Sequence, residues 1–165
     1  MRLLAIVFAA VALTTPRVSE AQIQGPEYVI DVSGLPMSCK TNSGKQVAIY
    51  YDYSLNNIGI ATADSYGAPI NVMNPNVVNN YSPIVKQWWF AHECAHHALG
   101  PWNNESNADC FGAKQLVRFG ILNNRAQLQL FVYELANLPG SLITGHMPGT
   151  DRAKKIASCA LGLPF

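Results

Sequence analysis

Apolar residues change their spacing about halfway along the chain. Up to Met73 they fall in short runs, Tyr28 to Val32, Gln46 to Tyr53, Gly59 to Ala63 and Pro69 to Met73, which read as strands. Between the runs lie Ser33-Gly34, Asn42-Ser43-Gly44, Asn56-Asn57 and Asp64-Ser65-Tyr66-Gly67, residue types that favour turns. From Ser82 onward the period becomes helical. Ser82-Pro83 pairs a capping hydroxyl with a proline suited to the first turn, and Leu99-Gly100-Pro101 closes the segment. Further helices are predicted from about Glu105 to Phe119, Arg125 to Asn137 and Asp151 to Leu161. Strands first and helices after give an α+β fold, with a small, mostly antiparallel sheet followed by a helical half. Asn71 and Asn74 precede the first long helix on a strand placed at the edge of that sheet.

The first helix is apolar nearly all round, through Ile84-Val85-Lys86-Gln87-Trp88-Trp89-Phe90-Ala91, and is therefore expected to be buried. Into this context comes His92-Glu93-Cys94-Ala95-His96, an HExxH motif. Residues four apart lie one turn apart on one helix face, so both imidazoles can grip one ion with Glu93 beside them. A carboxylate buried without a partner is costly, and no Lys or Arg lies within a helical turn of Glu93. A divalent cation and a water activated by it account for such an acid, with Glu93 as general base and zinc as the natural ion for these ligands. His97 points about 100° away from His96 and is read as a packed histidine.

Residues 1–21 carry the three parts of a secretory signal peptide: Met1-Arg2, the apolar run Leu3 to Leu13, and Ser19-Glu20-Ala21. Cleavage after Ala21 leaves residues 22–165 as one domain, with nine basic and nine acidic residues. That balance gives no electrostatic footprint for nucleic acid, and no second run spans a bilayer. An exported protein, periplasmic or extracellular, is expected to pair its four cysteines, Cys39, Cys94, Cys110 and Cys159. Cys94 sits about 180° around the helix from the expected ion, a poor place for a ligand. On that far face Cys94 is expected to pair with Cys39 or Cys159 rather than with Cys110.

Metzincins continue the motif with Gly three residues and His six residues after the second histidine, where this chain has Leu99 and Trp102. Asn104-Glu105-Ser106-Asn107-Ala108-Asp109 instead resembles the NExxSD helix of thermolysin-like gluzincins, and more closely the ExxAD helix of compact gluzincins. The resemblance implies Glu105 as third ligand and Asp109 as the group that hydrogen-bonds the far nitrogen of His92. His146-Met147-Pro148-Gly149-Thr150-Asp151-Arg152 is similar to the HPxxxxR segment of the family that includes CAAX prenyl, HtpX and Oma-type proteases, with Pro148 displaced by one position. By that resemblance His146 or Arg152 stabilises the oxyanion.

Together these features lead us to expect an exported metalloendopeptidase with one zinc per chain, acting on peptides or unfolded proteins. Metal ligands are His92, His96 and Glu105; Glu93, His146 and Arg152 form the catalytic set. The alternative is a catalytically silent zinc-binding domain that serves partner recognition or structure.

Overall fold

In the computed structural model, residues 23–140, 146–159 and 161 are described. The signal peptide expected over residues 1–21 lies outside them. The chain opens with strands β1 (Ile23–Glu27), β2 (Ile30–Val32), β3 (Leu35–Met37), β4 (Ala48–Asp52), β5 (Gly59–Ala63) and β6 (Pro69–Met73). Helices follow: a single turn α1 (Pro75–Val78), then α2 (Pro83–Ala98), α3 (Glu105–Arg118), α4 (Arg125–Ala136) and α5 (Gly149–Ala157). This is the expected order of sheet before helices.

The run expected as one strand over residues 28–32 begins only at Ile30, and β1 forms ahead of it. β2 and β3 make a separate hairpin across Ser33-Gly34. Both turn residues have positive φ, 56° and 84°, and the Asp31 carboxylate accepts a hydrogen bond from Gly34 N at 2.8 Å. Positive φ at both central positions matches the right-handed twist of a two-residue hairpin.

The main sheet runs β1-β4-β6-β5, with β1–β4 and β5–β6 antiparallel and β4–β6 parallel. Residues 69–73, expected at the edge, are therefore central. β6 inserts between β4 and β5 after the turn at Asp64, whose Oδ1 accepts from Tyr66 N and Ala68 N at 2.8 Å each. The edge strand toward α2 is β5.

Helix boundaries follow local chemistry. The Ser82 hydroxyl faces Val85 N at the start of α2, Asn104 Oδ1 accepts from Asn107 N at 2.9 Å on α3, and Asn124 Oδ1 accepts from Gln127 N at 3.0 Å on α4. Asn74 caps α1, and its Nδ2 donates to Leu55 O at 2.7 Å, so this asparagine braces a loop. α5 begins at Gly149, where a Cβ would lie 2.3 Å from Leu135 O and 2.6 Å from Leu138 O. Glycine lets α5 start flush against the end of α4.

The core lies between the sheet and α2. Val47, Ile49 and Phe90 are almost fully buried on that side, and Trp88, Leu116 of α3 and Phe131 and Leu135 of α4 continue the core among the helices. Burying a large apolar side chain stabilises the fold by about 1.5–3 kcal/mol. α3 packs tightly on α2 because Gly112 faces Trp88, where a Cβ would come within 2.8 Å of the indole. Trp88 Nε1 also donates to Asp109 O at 3.3 Å, fixing α3 along its length against α2. Two cysteine pairs lie at disulfide distance, Cys39 with Cys94 and Cys110 with Cys159, their Cα atoms 5.4 Å and 5.7 Å apart. Cys94 avoids Cys110 and takes Cys39, one of its two expected partners. No helix among the described residues is long and apolar enough to cross a membrane.

Candidate metal centre

α2 delivers His92, Glu93 and His96, and α3 delivers Glu105 and Asp109 to the same point. The tight α2–α3 contact at Gly112 and Trp88 sets their separation. His92 Nε2 lies 3.2 Å from His96 Nε2 and 3.4 Å from Glu105 Oε2, and His96 Nε2 lies 3.3 Å from Glu105 Oε1. Donors around a tetrahedral ion at about 2.0–2.1 Å are separated by about 3.3–3.4 Å. His146 adds a fourth donor side chain, its Nε2 3.9 Å from Glu105 Oε2 and 3.7 Å from Glu93 Oε1. Ligand atoms of His92, Glu105 and His146 all lie within 4.8 Å of one another, a group able to hold a metal ion.

Each imidazole is oriented from behind. His92 Nδ1 approaches Asp109 Oδ1 at 2.8 Å, a close ionic contact whose angle falls short of an aligned hydrogen bond. The carboxylate favours a proton on Nδ1 and leaves Nε2 facing Glu105. His96 Nδ1 meets Asn103 Oδ1 at 2.7 Å, which likewise leaves Nε2 as the free donor atom. Asn103 lies outside the motifs read from the sequence. It reaches His96 because the single 3-10 turn Gly100–Trp102, with Gly100 at φ 54°, folds the α2–α3 link back toward the helix.

Protonation follows burial and charge. Burial opposes a charge on His92, but Asp109 and Glu105 outweigh it and raise its pKa. Burial lowers His96, aided by His92, and lowers His146 to about 4, aided by Arg152. These two imidazoles are thus neutral near pH 7, the form that binds a cation. The Glu105 carboxyl, although partly buried, is held down by a hydrogen bond and charge from His92. Glu93 behaves oppositely: burial pushes its carboxyl up to about 7, against opposing contributions from His92 and the Ala61 backbone. Its Oε1 is buried and has no hydrogen-bond partner among the described residues.

Arg152 is almost completely buried, 1 % exposed. Its NH2 donates to Glu105 Oε2 at 3.2 Å, its NH1 lies 3.8 Å from Asp109 Oδ1, and its Nε donates to Met147 O at 3.2 Å. The guanidinium also stands over the rings of Trp88 and Trp89, 5.4 Å and 5.0 Å from their centroids. Of the two residues linked to the oxyanion by resemblance, His146 lines the open cleft and Arg152 sits behind Glu105.

The cleft has a volume of about 380 Å³ and is bounded by Ile60, Ala61 and Thr62 of β5, by Glu93, His96 and Glu105, and by His146. His97 also reaches its border, but its Nε2 donates to Ile70 O and Asn71 Oδ1 at 3.1 Å each, so it packs α2 on the sheet. No family model matches the chain, and neither a curated protein nor a solved structure is found to be similar to it.

Proposed function

We propose that this protein is an exported zinc-dependent metalloendopeptidase that cleaves peptides or unfolded protein. The observation that carries the reading is the spacing of His92 Nε2, His96 Nε2 and the Glu105 carboxylate, 3.2–3.4 Å apart, with the buried Glu93 carboxylate beside them. Two imidazoles and a carboxylate at tetrahedral spacing are a ligand set that suits zinc. When bound there, the cation supplies Lewis acidity, polarising a carbonyl and making water acidic enough to attack near neutral pH.

The chain's own residues divide the remaining work. Asp109 and Asn103 hold the two imidazoles in the metal-binding tautomer. Glu93, in a site that disfavours its charge, takes a proton from the attacking water and returns it to the leaving amine. His146, on the cleft wall 3.7 Å from Glu93, is placed to donate to the carbonyl oxygen as negative charge develops. Arg152 fixes Glu105 and Asp109 relative to each other. Among the described residues β5 is an edge strand of the sheet, paired with β6, so an extended peptide can add along Ile60 to Thr62 through main-chain hydrogen bonds. Such contacts select extended backbone and place little demand on side chains, which suits unfolded clients. Two cysteine pairs at bonding distance agree with an oxidising compartment.

The test is Glu93→Gln. The variant is expected to keep about one equivalent of zinc and to cleave unfolded casein roughly 10²–10⁴-fold more slowly than the parent. Parent-like cleavage by the variant would remove Glu93 from the mechanism. Zinc retention with no cleavage by the parent itself would instead support the silent metal-binding domain.

A further inference from the structure

A second cavity, of about 340 Å³, adjoins the cleft at His146, which lines both. Ile58, just ahead of β5, Val77 of α1, and Leu138 and Pro139 after α4 give it apolar walls. Its size lies in the range of small-molecule sites, which begin at about 300 Å³. No Asp, Glu, Lys or Arg lines it among the described residues.

Two buried donors on its lining have nothing to donate to. Trp89 is 3 % exposed, and its Nε1 has no hydrogen-bond partner among the described residues. Asn57 Nδ2 is buried and likewise unpaired, while Asn57 Oδ1 accepts from Ile58 N at 2.8 Å, which fixes the end of the amide that carries the donor. Trp89 Nε1 reaches the start of β5, 3.4 Å from where a Cβ on Gly59 would stand, and Asn57 lies two residues earlier on the same stretch. A buried N–H without an acceptor is costly, so the pair calls for an oxygen that accepts from both. A carbonyl oxygen has the two lone pairs to do so. One water takes about 30 Å³ and would leave the apolar walls bare. A charged group would enter without a counter-ion, which burial penalises heavily. The occupant that fits is therefore neutral, with an apolar stem and a terminal carbonyl. Asparagine and glutamine alone among side chains end that way, and glutamine has the longer stem.

We propose that this cavity is a substrate subsite that receives a glutamine side chain beside the scissile bond, its carbonyl oxygen accepting from Trp89 Nε1 and Asn57 Nδ2. Its place next to the bond to be cut rests on the endopeptidase reading, but recognition of the side chain belongs to the cavity and is measured without cleavage.

The experiment follows the Trp89 indole N–H by NMR in the purified, disulfide-bonded protein, its resonance assigned by the nuclear Overhauser contact with Gly59. The probes are capped single residues, N-acetylglutamine methylamide and its methionine and glutamate counterparts. The expected result is a saturable downfield shift with the glutamine probe. Methionine, of similar length but without a carbonyl, and glutamate, which carries charge, are expected to bind at least about tenfold more weakly. Asn57→Asp keeps the acceptor for Ile58 N and removes the donor, so it is expected to weaken the glutamine probe at least about tenfold. Because that change puts a charge in a part-buried place, the probe series on the parent decides if the variant does not fold. Capped peptides differing at one residue give a second readout, with cleavage beside glutamine expected to be at least about tenfold faster than beside methionine. Selective binding of the glutamine probe without cleavage of any peptide upholds the cavity's recognition and overturns the endopeptidase reading. Equal binding of glutamine and methionine, parent-like binding by Asn57→Asp, or an indole resonance unmoved by every probe assigns the two donors to bound water only and overturns the proposal.

Discussion

The two faces of α2 carry opposite chemistry within one helical turn. His92, Glu93 and His96 lie on the side of the metal centre among other titratable groups, with the two imidazoles oriented by Asp109 and Asn103. Ala91, Cys94 and Ala98 face the other way, where the contacts are apolar and the one strong tie is the Cys39–Cys94 link to the strand half. The cleft face gains little stability from burying charge, since desolvation offsets much of the attraction between such groups. The far face supplies packing and cross-linking, and so holds the helix in place for the polar side. Stability and ligand geometry are in this way assigned to different surfaces of one helix.

Removing the far-face tie is expected to have the largest effect on folding. The Cys39–Cys94 link closes a separation of 55 residues, and the chain-entropy relation puts its contribution at about 4 kcal/mol. The double variant Cys39→Ser with Cys94→Ser is expected to lower the denaturant midpoint accordingly, while the fraction that remains folded binds zinc as the parent does. A large loss of zinc affinity in the folded fraction would merge the two roles. Next comes Gly112→Ala, which drives a methyl into the Trp88 ring and separates α3 from α2. About 1–3 kcal/mol of stability is expected to go, together with metal affinity, because Glu105 moves with α3.

Cleft-face changes should act in the reverse sense. Asp109→Asn is expected to weaken zinc binding about 10–100-fold. It also lowers stability, since the buried Arg152 loses a counter-charge 3.8 Å away. Asn103→Ala is the cleaner and smaller probe. It removes only the 2.7 Å contact on His96, so zinc affinity is expected to fall about tenfold with the melting point of the metal-free protein nearly unchanged. A metal competition assay and a thermal melt on each variant measure both quantities.

What the sequence made legible was local. His92 and His96 meet because four residues make a turn, and the far-side position of Cys94 follows from the same geometry, which kept it from Cys110. The approach of Glu105 and Asp109 required only that α3 lie against α2, and the Asn-Glu-x-x-Ala-Asp pattern pointed there. Contacts set by chain path were harder to read. Residues 69–73 have a strand pattern wherever they sit in the sheet, and nothing in their alternation says that β6 inserts between β4 and β5. Asn103 reaches His96 only through the turn at Gly100, a position that without the fold reads as an ordinary helix stop. Arg152 looked like a cleft residue by resemblance. Its place behind Glu105 depends on how α5 docks against Trp88 and Trp89, which is a tertiary fact.

The central claim is that one cation is held by His92, His96 and Glu105. Anomalous diffraction at the zinc edge from crystals of the purified protein tests it most directly. The account predicts a single peak about 2.0–2.1 Å from His92 Nε2, His96 Nε2 and a Glu105 oxygen. No peak at that point after growth with zinc, or a peak bonded to His92, Glu105 and His146 but not to His96, would contradict it.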